Sequence, residues 1–389
     1  MDKVKLGLIG ACGSMASAHL KYFPEIEGLD LVAVCDNSPE PLQALAKEHG
    51  AAAFADGKAM IESGMIDAVM IACPHYHHPV YAQLGLERGI HVLVEKPVAV
   101  TAQAAQETNA VYERAKAEHP GLVYAAMFNQ RTHADWKMIK KLIDEGRVGE
   151  LMRVSWTITT WYRTQRYYDS GGWRATWAGE GGGVLINQCP HNLDLFQWFV
   201  GMPSSVSATV GIGKYHDIEV EDDVVAVLEF DNGAVGTFIT STGQNPGINR
   251  LEIAGDKATI VAHADGKVTL MENVTPLSQF TAHSDQRFGG PTRHTHTIEC
   301  GGGNPGHEAI TRNFLNAILK GEPLIAEATE GIHGLELGNA MLMAGLTGKP
   351  VDVPTDREAF VALLDKLKAE STYEKKVVDT GVADLSGTY

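Results

Sequence analysis

The chain has 389 residues, 44% of them hydrophobic and 21% charged, the composition of an ordinary globular protein long enough for two domains. Its formal net charge of −16 excludes nucleic acid and anionic membrane surfaces as natural partners, since both would repel it. No apolar run approaches the roughly 18 residues of a membrane span, and the short apolar stretch of MDKVKLGLIGACG runs into a glycine-rich turn rather than a signal-peptide cleavage site. The five cysteines (Cys12, Cys35, Cys73, Cys189 and Cys300) are odd in number and form no CxxC pair, which argues against a disulfide framework and fits a reducing, cytoplasmic compartment.

The first 125 or so residues alternate apolar runs with helical patterns. Lys5 to Ile9 reads as a strand and Ser14 to Phe23 as a helix. Leu29 to Cys35 and Pro39 to His49 repeat the pair, as do Ala68 to Ala72 and Val80 to Arg88, and His91 to Glu95 is a fourth strand. Such alternation indicates parallel βαβ units joined by right-handed crossovers, with helices on both faces of an open sheet. After about Gly149 strands dominate: Leu151 to Trp161, Val206 to Ile212, Asp223 to Phe230, Ala234 to Ser241, Arg250 to Ala254 and Lys267 to Met271. Asp231-Asn232-Gly233 marks a hairpin between two of them, so this sheet should be largely antiparallel. The segment from 276 to 306 has no period and reads as a long ordered loop, and helical patterns return at His307 to Leu319, Glu330 to Ala344 and Asp356 to Ala369.

Between the first strand and the first helix lies Gly10-Ala11-Cys12-Gly13-Ser14-Met15-Ala16, a degenerate GxGxxG turn. Gly13 would let the backbone approach a pyrophosphate, and the helix N-terminus would face it. Asp36 ends the second strand 23 residues after Gly13, near the ~20-residue spacing at which an acid binds the ribose hydroxyls of a dinucleotide. Its charge would repel a 2′-phosphate, so the pattern favours NAD over NADP.

Two longer motifs follow. His91-Val92-Leu93-Val94-Glu95-Lys96-Pro97 closes the fourth strand, and Gly181-Gly182-Gly183-Val184-Leu185-Ile186-Asn187-Gln188-Cys189-Pro190-His191-Asn192-Leu193-Asp194 comes about 90 residues later. In this order and spacing they resemble the EKP and GGGxLxDxGxHxxD segments of the glucose–fructose oxidoreductase / inositol dehydrogenase / rhizopine catabolism (Gfo/Idh/MocA) oxidoreductase family. Cys73-Pro74-His75-Tyr76-His77-His78, Phe128-Asn129-Gln130-Arg131 and Gly172-Trp173-Arg174 resemble further family segments, so the likeness covers nearly the whole chain.

The resemblance implies an α/β protein. Residues 1–125 would form an NAD-binding Rossmann domain with a doubly wound parallel sheet, and 126–389 an α+β domain with a large, mostly antiparallel open sheet for substrate binding and homo-oligomerisation. It implies oxidation by NAD of a ring hydroxyl, C3 favoured, of a sugar, glycoside or cyclic polyol. The rivals are a redox-neutral NAD-dependent glycosidase or epimerase working through a 3-keto intermediate, and a non-catalytic NAD-binding sensor. Cofactor contacts would come from Gly10, Cys12, Gly13, Ser14, Met15, Asp36, Asn37, Pro74, His75, His78, Glu95, Lys96, Trp173 and Arg174, and substrate contacts from Arg131, Tyr162, Arg163, Trp173, Asn187 and His191.

The chemistry needs a base for the hydroxyl proton and a cation for the developing alkoxide. His191 is the candidate base because imidazole titrates near neutrality, and Lys96 is the cation. Asn187 stands where many family members carry an acid; an amide cannot ionise, so its role would be to hold a hydroxyl. Asn187, His191 and Asp194 would share one face if a helix ran through them, but Pro190 is better suited to starting a helix than continuing one. Asp194 is a candidate orienter of His191. His75, His77 and His78, and the set His294, His296, Cys300 and His307, carry metal-ligand types in no recognisable metal spacing, so no metal is expected.

Overall fold

The computed structural model describes residues 2–263, 266–301, 303 and 305–378; the end of the expected second domain, 379–389, lies outside them. The apolar runs of the first third form β1 (Val4–Ile9), β2 (Leu29–Cys35), β3 (Ala52–Phe54), β4 (Ala68–Ile71), β5 (His91–Val94) and β6 (Tyr124–Ala126). They pair in parallel in the order β3-β2-β1-β4-β5-β6. β1, β4 and β5 are almost wholly buried, as strands covered by helices on both faces must be. The strand order reverses between β1 and β4, and the crevice at that switch point is where ligands bind such sheets.

The second sheet comprises β7 (Leu151–Ile158), β8 (Ser205–Ile212), β9 (Glu221–Glu229), β10 (Val235–Ser241), β11 (Asn249–Gly255), β12 (Ala258–His263), β13 (Lys267–Asn273), β14 (Arg293–Glu299) and β15 (Val351–Asp352). Their order is β14-β13-β12-β11-β7-β10-β9-β8-β15, antiparallel throughout except where β10 lies parallel to β7. β9 alternates cleanly, with Val224, Ala226 and Leu228 buried while Val225 and Val227 are each 45% exposed. The helix Gly331–Thr347 packs on β8 and on the helix Pro190–Val200, while the opposite face of the sheet stays open.

Two expectations change. The segment from 276 to 306 is not one loop: it holds the helix Leu277–His283 and the edge strand β14. The helix buries no side chain, and β14 is almost entirely exposed, so neither leaves an apolar period in the sequence. The helices also do not respect a boundary near 125. Ile310, Phe314 and Leu315 of the helix Gly306–Lys320, and Leu335 of the next helix, join the hydrophobic core of the first sheet. The chain returns to brace the Rossmann domain, which fixes the cleft between the sheets. Among the described residues no helix is long and apolar enough to cross a membrane.

Candidate active site

The first wall of the cleft is the C-terminal edge of β1, β2, β4 and β5. Gly10 leaves β1 with φ +80°, and a Cβ there would lie 2.6 Å from the Ala72 carbonyl oxygen, so only glycine fits. Gly13 caps the helix Ser14–Leu20 with extended backbone and no side-chain cap, and Ser14 and Met15 open its first turn. Asp36 accepts hydrogen bonds from Cys12 N (2.9 Å) and Ser38 N (3.0 Å), which aims its carboxylate along the glycine-rich turn, with Asn37 beside it. A helix start with no side-chain cap, a turn with glycine at positions 10 and 13, and an acid at the end of β2 fit the pyrophosphate and ribose of NAD.

The turn after β4 is tied down. His78 bridges the Cys73 and Pro97 carbonyls, each at 2.7 Å, and so clamps the Pro74 turn to the loop after β5. His75 is buried, 3.4 Å from the Glu180 carbonyl, with its ring edge-on to Trp173 at 5.1 Å. Glu95, expected at the cofactor, is spent elsewhere: it is buried against His19 at 2.7 Å and accepts from Lys96 N at 3.2 Å. Burial opposes its charge, but the hydrogen bond and charge of His19 hold its carboxyl down to about 2. His19 also bonds the Tyr22 hydroxyl, which bonds Thr311 at 3.1 Å. Glu95 therefore fixes the backbone from which Lys96 projects.

The second wall comes from the segment 161–194. The helix here begins at Pro190, so Asn187 lies before it and the common-face expectation fails. Lys96 reaches across the cleft, and its Nζ donates to the Asn187 carbonyl at 2.8 Å. Burial pushes the lysine pKa down; Glu95 and Glu180 oppose this, while Arg174 and Arg163 reinforce it. Asn187 Nδ2 donates to Glu180, and its Oδ1 accepts from the Tyr167 hydroxyl at 3.2 Å. Arg174 donates to that hydroxyl at 2.8 Å and lies over the rings of Tyr167 and Trp173. Arg163 stacks on Trp161 and Tyr167, and its buried Nε has no partner. Tyr162 is exposed at the rim and offers its carbonyl to Arg163 at 2.9 Å.

His191 is 2% exposed, and neither of its ring nitrogens has a hydrogen-bond partner. Burial, then the charge of Lys96, pushes its pKa well below the ordinary value, so the ring is neutral and able to accept a proton. Asp194 does not orient it. Asp194 instead takes a bidentate grip from Arg131, at 2.8 Å to Nε and 2.6 Å to Nη2. Arg131, expected at the substrate, also binds Glu330 at 2.5 Å and the Ile325 carbonyl at 3.4 Å. The pair forms a buried prop, with four of the five guanidinium N–H donors engaged by protein acceptors. Glu180 is the site residue the sequence reading passed over: in Ala-Gly-Glu-Gly it looks like a solvated turn, and only its burial reveals it. Among the described residues no three His, Cys, Asp or Glu side chains are arranged to hold a metal ion.

A Rossmann sheet with a glycine-rich turn, joined to a mixed open sheet, defines a two-domain nicotinamide-dependent oxidoreductase. Residues 4–119 match the model of the oxidoreductase family with an NAD-binding Rossmann fold, and residues 136–261 match the GFO/IDH/MocA C-terminal domain. The chain belongs to this Gfo/Idh/MocA family, and its cofactor is NAD. It is 27% identical over 376 residues to the D-glucoside 3-dehydrogenase of Escherichia coli (strain K12), spanning 90% of this chain and 97% of that protein. It is 26% identical to an inositol 2-dehydrogenase of Rhizobium meliloti (strain 1021), over 87% of this chain and 95% of the relative. The WlbA dehydrogenase from Bordetella pertussis, solved in complex with NADH and UDP-GlcNAcA, matches with a TM-score of 0.74 at 27% identity, covering 91% of this chain and 100% of that one.

Proposed function

We propose that this chain oxidises a ring hydroxyl, preferentially at C3, of a sugar, glycoside or cyclic polyol. The observation that carries the reading is His191, a buried neutral imidazole with no internal partner, set beside the Lys96 ammonium. A buried polar group without a partner costs stability and persists where a ligand completes it. NAD, when bound, takes the hydride. His191 accepts the hydroxyl proton, and Lys96 stabilises the negative charge that develops on the oxygen. The backbone carbonyl of Asn187 aims Lys96, while its amide is engaged with Glu180 and Tyr167. Trp173, with Arg174 and Arg163 stacked on neighbouring rings, forms a wall on which a pyranose can lie. The C3 preference draws support from the D-glucoside 3-dehydrogenase relative.

A panel of glucosides, free sugars and inositols with NAD tests the reading. Stoichiometric NADH is expected, with the acid limb of turnover below pH ~6.5 because the His191 pKa is lowered. Release of aglycone without net NADH would overturn it in favour of redox-neutral cleavage.

We also propose a homo-oligomer through the open face of the second sheet, where Val225, Val227 and Val235 are exposed on adjacent strands. Light scattering at micromolar concentration should give a dimer or tetramer, and Val227→Lys should shift it toward monomer.

A further inference from the structure

Glu180 is 2% exposed, yet it carries a carboxylate into the middle of the site. Its Oε1 accepts from the Asn187 amide and its Oε2 from Ala175 N at 2.6 Å. The loop carrying it is wound tightly: a Cβ at Gly179 would lie 2.3 Å from the Trp173 carbonyl oxygen. Ala175 has φ +53° and is the only non-glycine residue with positive φ among the described residues. That conformation is disfavoured for alanine and persists only where its surroundings hold it, and here the strained residue points its N–H at Glu180. Burial pushes the Glu180 carboxyl up from its ordinary value, while the charge of Arg174, the hydrogen bonds from Ala175 N and Asn187, and the charge of Lys96 favour the carboxylate. Lys375, Tyr168 and Glu221 feel its charge from the outer side.

The geometry points to Glu180 as a positioning residue of this active site: it holds the Asn187 side chain, while the backbone carbonyl of Asn187 takes the Lys96 ammonium, so that the Glu180 carboxylate and the ammonium flank one residue. Asn187 cannot ionise, and the acid bonded to its side chain is Glu180, whose charge acts on Lys96 from this wall. The groups that bear on Lys96 are Glu95, Arg174, Glu180 and Arg163. Two of these are cations that depress its proton affinity. Glu95 is already paired with His19. Removing the charge of Glu180 therefore leaves Lys96 with two cationic neighbours and one engaged acid, and the ammonium loses its proton at lower pH.

The inference rests on the dehydrogenase reading for its kinetic consequence but not for its physical one. The test uses full-length protein labelled with 15N-lysine, with the Lys96 resonance assigned by its loss in Lys96→Arg. In Glu180→Gln, an isosteric change, the Lys96 titration should move down by roughly half a pH unit or more. The pH limb of turnover that belongs to Lys96 should move with it, while NADH affinity stays within about twofold. Glu180→Asp keeps the charge but shortens the reach to Asn187: its Lys96 titration should match native, and its KM should rise several-fold. A Lys96 titration in Glu180→Gln that superimposes on native overturns the proposal. So does native KM and kcat in Glu180→Asp, which also decides the matter if the Gln variant fails to bind NADH. Absence of turnover by the native protein on every sugar tried would sink the dehydrogenase reading alone and leave the Lys96 titration to judge Glu180.

Discussion

Two buried polar clusters lie on either side of the helix start at Pro190, and they are built on opposite principles. Behind it, Arg131 meets Asp194, Glu330 and the Ile325 carbonyl with four of its five donors occupied. In front, His191 makes no hydrogen bond, and Lys96 has only a backbone carbonyl. Arg131, Asp194 and His191 are all buried, so exposure does not separate these three. A closed ion pair has finished its work when the chain folds. A buried ring with two unused nitrogens still has hydrogen-bonding capacity to offer a ligand, which in the proposed function is a substrate hydroxyl. On the proposed reaction, the satisfied cluster would build the protein and the unsatisfied one would meet the substrate, a distinction of hydrogen bonding rather than of charge.

The sharpest way to break that comparison is to remove the open cluster. Lys96→Ala and His191→Ala should each lower turnover by on the order of 10² to 10⁴ while leaving most NADH affinity intact. The double variant should be little worse than either single, because both act on one proton transfer. Steady-state kinetics with fluorescence titration of NADH measures this; near-native turnover in either variant would place the chemistry elsewhere.

The closed cluster should respond the other way. Arg131→Ala strands the buried Asp194 carboxylate, which burial already pushes toward its protonated form. Loss of one member of such a pair costs about 3–5 kcal/mol, so denaturant unfolding should show a large drop in stability. Any surviving folded fraction should keep its pH profile, since Arg131 touches neither Lys96 nor His191. A stable Arg131→Ala with altered substrate affinity would restore the role expected from its sequence position.

A smaller effect comes from Glu221 on β9. Its Oε1 accepts from Leu185 N at 3.0 Å, but its buried Oε2 has no partner and borders an apolar cavity under the triple-glycine turn. Burial pushes this carboxyl up to about 7 from an ordinary value of 4.5. A carboxyl whose folded pKa is raised favours folding fully below pH 4.5, and that contribution is lost as pH rises through 7. By linkage the penalty at pH 8 is about 3 kcal/mol. Glu221→Gln should therefore raise the melting temperature at pH 8 and make little difference at pH 4.5. A gap independent of pH would mean that the residue is ionised in the fold.

Apolar runs in the sequence exposed β1, β2, β4 and β5, whereas the three-residue strands β3 and β6 are too short to leave a period, and the EKP and triple-glycine motifs singled out Lys96 and His191 as candidates because those residues fall in recognisable local contexts. The engagement of Arg131 with Asp194 and Glu330 was not legible because those partners lie 63 and 199 residues away, and no local pattern records a contact that long. Glu180 escaped for a related reason, since its burial is imposed by Asn187, Ala175 and Lys96 folding over a turn that looks solvated. β14 and the helix Leu277–His283 left no trace because their side chains stay near water. Local chemistry survives in a linear reading, whereas burial created by distant parts of the chain does not.

The smallest expected effect concerns the cofactor end, where the same distinction applies to one carboxylate. Asp36 is half satisfied: each oxygen takes one backbone N–H, from Cys12 and Ser38, and each keeps a lone pair directed to the crevice. Those lone pairs suit the two hydroxyls of an adenosine ribose, and the charge repels a 2′-phosphate. The native protein should bind NAD at least about tenfold more tightly than NADP, or about 1.4 kcal/mol. Asp36→Ala loses the ribose contact and the repulsion together, so NAD affinity should fall, NADP affinity should hold or rise, and the ratio should approach one. The turn itself should survive, because Gly10 and the uncapped helix start remain. Calorimetry with both dinucleotides on both proteins measures the four affinities. Equal binding by the native protein would show that the backbone contacts alone occupy the carboxylate, leaving Asp36 a structural group like Arg131 rather than an open one like His191.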